Sequence, residues 1–235
     1  MKKIVLLLVV AFSIQMNAQT SPELLKHFES YYAQMKAQGD VQGIINAMTH
    51  LNIMEPSQPR LDTLAYIYMS EGKYSQALNT LGIVKMSTDS DIALEVKAIS
   101  LKAVKRPKLA IDHFSEMFKR DPNPMIAYEL AELNMQTNVL DEAQKYIDFG
   151  LANAEDGMKK AFYETQNPYE VPLKSAFMYL NALSTYTKDK KTNIDPAVDI
   201  LDATLKTAPN FNLVQLTKTE LLRQKQVLQA AEAKK

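Results

Sequence analysis

The sequence holds few residues from which a catalytic or metal site could be built. It has no cysteine, which excludes thiolate nucleophiles, cysteine-ligated zinc and disulfides. The three histidines, His27, His50 and His113, stand far apart, and none has a second ligand at the spacing of a known metal motif. His113 falls on the outer flank of a predicted helix, where we expect a solvated side chain. We therefore expect no metal, no cofactor and no catalytic histidine.

Two acidic clusters could do chemistry in a suitable setting. The run Asp89-Ser90-Asp91 opens like a calcium loop but lacks that loop's glycine and closing glutamate, so it predicts a helix N-cap. Glu129 and Glu132 lie one helical turn apart, a spacing that suits acid–base chemistry only if the pair is buried. On a helix of this kind we expect them on a solvated face. Nucleotide loops and serine elbows are absent from the sequence, so it predicts a protein that is not an enzyme.

Composition narrows the partner class. The 235 residues include 27 basic and 27 acidic side chains, a formal net charge of zero. Nucleic-acid binding rests on clustered lysine and arginine, so we expect no nucleic-acid partner. An apolar fraction of 46% is ordinary for a chain that buries a core, and six glycines are too few for an architecture with many tight turns. The composition favours a helical globular protein.

The first residues have the pattern of a secretory signal peptide. Lys2 and Lys3 precede an apolar run over residues 4–12, and small or polar residues follow up to Thr20. The run is far shorter than the roughly 20 residues that span a bilayer. We expect a signal peptide over residues 1–18, cut after Ala18, and no stable membrane insertion afterwards. The expected location is the periplasm, with secretion as the second choice.

The sequence repeats with a period of 33 residues. Four turn positions stand 33 residues apart: Gly39, Gly72, Lys105 and Asn138. A compact apolar residue follows each turn by five positions, and a larger one follows four positions later: Ile44, Ala77, Ala110 and Ala143, then Met48, Leu81, Phe114 and Ile147. The compact residue lets two helices approach and the larger one fills the groove between them. The period predicts a series of antiparallel helix pairs.

These positions resemble the tetratricopeptide repeat. The second unit matches that pattern at Leu64, Ala65, Tyr68, Gly72, Tyr74, Ala77 and Leu81, and the third at Ala98, Leu101, Ala110, Phe114, Met117, Asp121 and Pro122. The chain departs from it in having no tryptophan and a period of 33 where 34 is usual. The resemblance implies an all-α, right-handed solenoid.

The predicted organisation follows from this register. Four repeats fill residues 20–155, at about 25–56, 58–89, 91–122 and 124–155. Residues 156–172 interrupt the register as an insertion, whose end at 167–172 predicts an irregular loop because each of its two prolines disfavours helix in the residue before it. A fifth, degenerate repeat over 173–209 and a capping helix over 211–235 complete the chain.

The resemblance also implies a working surface. In this family the first helix of each repeat lines a concave face, and the matching positions form a protein-binding strip: Tyr66, Met69, Ile99, Lys102, Tyr128, Glu132 and Met135. Other inward positions carry Glu29, Asp62 and Glu95, which would repel the acidic tails that some members grip. We expect a neutral or basic, partly apolar protein or peptide segment as partner. Apolar strips also serve self-association, which leaves a homo-oligomer possible.

The function that these expectations favour is a non-catalytic periplasmic scaffold or adaptor in the assembly, folding or secretion of envelope proteins. Two alternatives stay open. One is an enzyme with its site in the 156–172 insertion, where polar and aromatic groups gather at Tyr163, Glu164, Tyr169 and Glu170. The other is a structural subunit of a larger envelope complex.

Overall fold

A computed structural model describes residues 22–232, so the predicted signal peptide over residues 1–18 lies outside the described part. Within that part the chain forms eleven helices and two short strands. The described residues form two compact units, which meet in sequence between Gly82 and Ile83.

The first unit contains two helix pairs. Helices α1 (Pro22–Gln38) and α2 (Val41–Met54) form one pair, and α3 (Gln58–Ser70) and α4 (Tyr74–Leu81) form the other. Asp40 caps α2 by accepting a hydrogen bond of 2.9 Å from the Gly43 backbone N–H. A small core of Ile45, Met48 and Leu64 holds the unit together. Helix α4 ends after eight residues, which is shorter than a repeat extending to residue 89 would give.

The second unit continues the series of helix pairs. Its first two pairs are α5 (Asp91–Ala103) with α6 (Pro107–Arg120), and α7 (Pro124–Gln136) with α8 (Leu140–Asn153). Helices α9 (Leu173–Lys188) and α10 (Ile194–Thr207) form the next pair, and α11 (Asn212–Glu232) packs against α10.

The period of 33 has a backbone cause. All four turn positions adopt the left-handed conformation: φ is +68° at Gly39, +70° at Gly72, +60° at Lys105 and +61° at Asn138. A residue in this conformation stops one helix and reverses the chain into the next. Glycine adopts it without strain, and asparagine tolerates it better than most residues. The helix pairs confirm the predicted tetratricopeptide-like, helical fold class.

The insertion departs from the expected irregular loop. Strands β1 (Lys159–Phe162) and β2 (Tyr169–Pro172) form a two-stranded antiparallel sheet in which Phe162 pairs with Tyr169. The expectation of an irregular loop over residues 167–172 was wrong. Buried and exposed side chains alternate along this segment, with Val171 buried against the core, and this alternation favours a strand. Pro172 pairs with Lys159 at a position whose N–H would point away from β1, so the ladder between the two strands loses no hydrogen bond there.

An aromatic cluster joins the hairpin to the helices. The Phe211 ring lies 4.7 Å from the Phe162 ring and 5.3 Å from the Tyr179 ring, measured between centroids. Phe211, Phe177 and Tyr128 are all essentially inaccessible to solvent. The hairpin is therefore part of the core of the second unit.

His113 contradicts the expectation of a solvated side chain. It is 1% exposed, and its Nε2 lies 3.1 Å from the Ile83 carbonyl oxygen. The short α4 leaves residues 82–90 outside any helix, and this segment folds over the outer flank of α6. The same segment carries the expected N-cap, because the Ser90 hydroxyl accepts a 3.0 Å hydrogen bond from the Ala93 N–H.

Candidate functional site

The seven residues of the predicted strip are divided between the two units. Tyr66 and Met69 lie on α3 of the first unit, where Tyr66 is 43% exposed and Met69 is buried. The other five, from Ile99 to Met135, lie on α5 and α7 of the second unit. In the second unit, Ile99 and Lys102 of the strip line a cavity beside α5, α6 and α7.

The α5–α7 cavity has a volume of about 430 Å³. Helix α5 contributes Glu95, Ile99 and Lys102, whose i, i+4, i+7 spacing places them on one side of the helix. Helix α6 packs against both α5 and α7. It and the first turns of α7 supply the rest of the lining, which is mainly apolar: Phe114, Met117, Met125, Ile126 and Glu129. The cavity thus has apolar walls and three charged side chains among its lining.

An ion-pair network borders the cavity at Lys102 and Glu129. The Lys102 ammonium donates hydrogen bonds to the carboxylates of Glu129 and Glu132. The Lys160 ammonium, on β1 of the hairpin, lies 2.7 Å from the other oxygen of Glu129. Two lysines therefore share the Glu129 carboxylate, which links α5, α7 and the hairpin.

The network favours the charged forms of Glu129 and Lys102. Burial by itself raises the pKa of Glu129, but the nearby Lys160 and Lys102 ammonium groups outweigh it, so the pKa lies below its ordinary value. Burial by itself lowers the pKa of Lys102, and the carboxylates of Glu129 and Glu132 outweigh it, so this pKa is raised. The expectation of a solvated face at this acidic pair was wrong for Glu129, whose side chain is 19% exposed.

Tyr128 is not open to a partner. The Lys160 ammonium lies 4.7 Å from the centroid of its ring, a cation–π arrangement. Phe177 packs against the same ring edge to face, with 5.5 Å between centroids. Burial raises the pKa of the phenol well above its ordinary value. Met135 also packs against the core of this unit and is partly buried. The hairpin covers the strip at Tyr128. The strip residues that stay accessible in this unit are Ile99 and Lys102, which line the α5–α7 cavity, and Glu132, whose side chain is 42% exposed.

Sequence reasoning missed most of the lining. Phe114 and Met117 appear in the sequence as repeat-core positions. Lys160, which pairs with the lining residue Glu129, lies in the insertion, which the repeat pattern does not cover. The sequence could have indicated Met125 and Ile126 as site residues, because two large apolar residues directly follow Pro124 at the N-terminus of α7. Met125 is 39% exposed in the structure.

The residues of the enzyme alternative lie mostly at the surface. Tyr163 is 76% exposed, and Glu164 and Glu170 are also exposed. The Tyr169 hydroxyl donates a hydrogen bond to Glu164, and partial burial together with this bond raises the pKa of the phenol to about 12. Glu170 pairs with Lys159 at 3.6 Å. These groups stabilise the end of the hairpin.

Residues 22–232 contain no cluster of three or more histidine, aspartate or glutamate side chains placed to hold a metal ion. None of the helices in the same range has the length and apolar character to cross a membrane.

Comparisons with known proteins place the chain among helical repeat structures. No protein-family profile matches the sequence, and no curated protein matches it either. Among solved structures, a tetratricopeptide repeat protein from Parabacteroides merdae has a TM-score of 0.64 at 15% identity, over 88% of this chain and 76% of that one. YrrB, described as a tetratricopeptide repeat protein with an unusual peptide-binding site, has a TM-score of 0.63 at 12% identity, over 89% and 97% of the two chains. The MamA protein has a TM-score of 0.58 at 16% identity, over 78% and 91%.

Proposed function

Because the chain has the tetratricopeptide-repeat fold, we propose that it is a non-catalytic scaffold that binds a segment of a partner protein in the α5–α7 cavity. The observation that carries the proposal is the cavity itself, whose apolar walls would take one or two side chains of a partner. The flexible thioethers of Met117 and Met125 suit a surface that adapts to its ligand. The description of YrrB as a peptide-binding protein supports the same kind of ligand.

The charges around the cavity favour a basic segment. Lys102, Glu129 and Lys160 already satisfy one another within the network. Among the described residues, none forms an ion pair or hydrogen bond with the Glu95 carboxylate. A lysine or arginine of the partner would complete this charge, whereas an acidic segment would be repelled.

Photo-crosslinking tests this proposal directly. A photoreactive phenylalanine at Met125, which lines the cavity and is exposed, should crosslink to a partner protein in native cells. The same group at Lys145, an exposed position on α8 outside the cavity, serves as the matched control. Adding Ile99→Asp should remove the Met125 crosslink, because a carboxylate would occupy the apolar wall. Equal crosslinking from both positions would contradict the proposal.

We also propose that the protein is exported and works in the periplasm, in the assembly, folding or secretion of envelope proteins. The charged, apolar and polar order of residues 1–18 supports export. Cell fractionation followed by mass spectrometry of the mature protein should find it in the periplasmic fraction, beginning at or near Gln19. A cytoplasmic protein that retains Met1 would contradict this.

A further inference from the structure

The hairpin has an outer strand edge on β1. Hydrogen-bonded pairs alternate along an antiparallel ladder, and the Leu173 N–H donates to the Met158 carbonyl at 2.8 Å, directly before the first pair of the sheet. The alternation therefore turns the backbone N–H and C=O of Lys159 and Ala161 away from β2. Within residues 22–232 the sheet has two strands, so no third strand pairs with these groups.

The two edges of the hairpin face opposite parts of the unit. The Asn210 side chain donates to the Glu170 carbonyl at 3.4 Å, which places the outer edge of β2 beside the connection between α10 and α11. On β1, Lys160 contacts Glu129 of α7, whose other lysine partner, Lys102, lies on α5. Lys160 therefore connects β1, on the side away from the α10–α11 connection, to Glu129, which also lines the α5–α7 cavity.

From this placement we propose that the partner segment binds in an extended form, as a third strand on the edge of β1. This inference rests on the proposed function and adds the conformation and chemistry of the ligand. A strand beside β1 would lie about 4.8 Å from it and would turn every second side chain toward the helices, as β1 does with Lys160 and Phe162. Those side chains would be apolar and enter the cavity, and a neighbouring lysine or arginine would reach Glu95.

An extended ligand fits this edge better than a helical one. The outward N–H and C=O groups of Lys159 and Ala161 can bond only to a backbone that has its own groups free, and a helix has already used them. The main-chain bonds would supply affinity, while the cavity and Glu95 would select the side chains.

One substitution removes an outward-facing backbone N–H of β1 and leaves the hydrogen bonds between β1 and β2 unchanged. Ala161→Pro deletes an N–H that points away from β2, and proline is tolerated on strand edges. Ala161→Val is the matched control, because it adds similar bulk and keeps the N–H. The unfolding midpoints of both variants, followed by circular dichroism, report whether the hairpin and its helices remain folded.

The test uses a displayed library of random peptides about twelve residues long, selected on the whole protein. We expect enriched sequences with apolar residues at i and i+2 and an adjacent lysine or arginine. Binding of a synthetic enriched peptide, measured by fluorescence anisotropy, should weaken at least about tenfold in Ala161→Pro, the scale of one lost hydrogen bond plus a local clash. In Ala161→Val the affinity should stay within about twofold.

The outcomes separate this inference from the proposed function. If enriched peptides lose binding in Ile99→Asp but bind Ala161→Pro and Ala161→Val equally, the cavity is the site and strand pairing is overturned. Enriched apolar residues at i and i+4 would also overturn it, since that spacing indicates a helical ligand. If no peptide of the library is enriched on the protein relative to a surface without protein, both proposals are overturned.

Discussion

Gly150 on α8 packs directly against the ring of Phe177 on α9. A β-carbon built on Gly150 would overlap three atoms of that ring. Both residues are buried, and the Phe177 ring also packs edge to face with the Tyr128 ring, over which the Lys160 ammonium lies. The missing side chain of one glycine therefore sets how closely α8 and α9 approach, and through Phe177 it sets the position of the ring beneath the hairpin.

We expect Gly150→Ala to destabilise the protein. On a free helix this change stabilises by about 1 kcal/mol. Here the new methyl group displaces a buried aromatic ring, an overpacking cost of about 1–3 kcal/mol. Urea denaturation followed by circular dichroism measures the difference. Gly43→Ala on α2 is the comparison: the added carbon there meets mainly the flexible thioether of Met35, so a smaller loss is expected. A Gly150→Ala protein that gains the full stabilisation expected on a free helix would contradict the packing.

The repeat register was predictable from the sequence because its cause is local. A left-handed residue at each of Gly39, Gly72, Lys105 and Asn138 ends one helix regardless of distant contacts. Compact residues such as Ala110 and Ala143 mark the helix crossings in the same way, and both are fully buried.

The position of the hairpin was not predictable, because it depends on contacts between residues far apart in the chain. Lys160 and Glu129 are 31 positions apart, and the insertion that carries Lys160 has no repeat period to place it. As a result, Tyr128 matches an inward-facing family position in the sequence and yet is covered in the structure. Gly150 likewise resembles any helical glycine until Phe177 is placed beside it.

We expect Tyr128→Ala to lower the stability of the protein. Removing a buried aromatic ring costs about 3–5 kcal/mol, and here the change also removes the surface on which Lys160 and Phe177 rest. Tyr128→Phe keeps that ring and should cost far less. Urea denaturation of the two variants gives the comparison. Similar losses in both would mean that the hydroxyl, rather than the ring, provides the stabilisation.

Lys97→Met should destabilise the protein strongly. The Lys97 side chain is 1% exposed, and its ammonium donates to the Asp89 carboxylate at 2.7 Å and to the Val84 carbonyl at 3.0 Å. The methionine fills a similar volume but leaves a buried carboxylate without its cation, which costs about 3–5 kcal/mol.

Lys145→Met is the matched control for Lys97→Met. Its pair with Glu142 is exposed, and solvent screens such a pair so that it contributes little to stability. Thermal and urea denaturation should show a clearly larger loss of stability for Lys97→Met than for Lys145→Met. A loss for Lys97→Met no larger than that for Lys145→Met would show that the segment over residues 82–90 does not depend on the Asp89 pair.

His113 should make the protein less stable in mild acid. Burial lowers its pKa, the hydrogen bond to the Ile83 carbonyl partly opposes this, and the nearby Lys97 charge lowers it further, so the folded pKa lies below the ordinary 6.5. Above about pH 7 the ring is neutral in both the folded and unfolded states and contributes no pH dependence. As the pH falls through 6.5, the unfolded chain takes up the proton first, so the free energy of unfolding decreases until the folded pKa is reached.

Urea denaturation at several pH values between about 7.5 and 5 should show this decrease, in a range above the ordinary carboxylate pKa values. His113→Gln should flatten the profile, because glutamine can still donate to the Ile83 carbonyl but does not titrate. His27→Gln, which removes an exposed histidine on α1, is the comparison variant. A slope that persists in His113→Gln would assign the acid sensitivity to another group, and the His113 ring would then be protonated as readily in the folded chain as in the unfolded one.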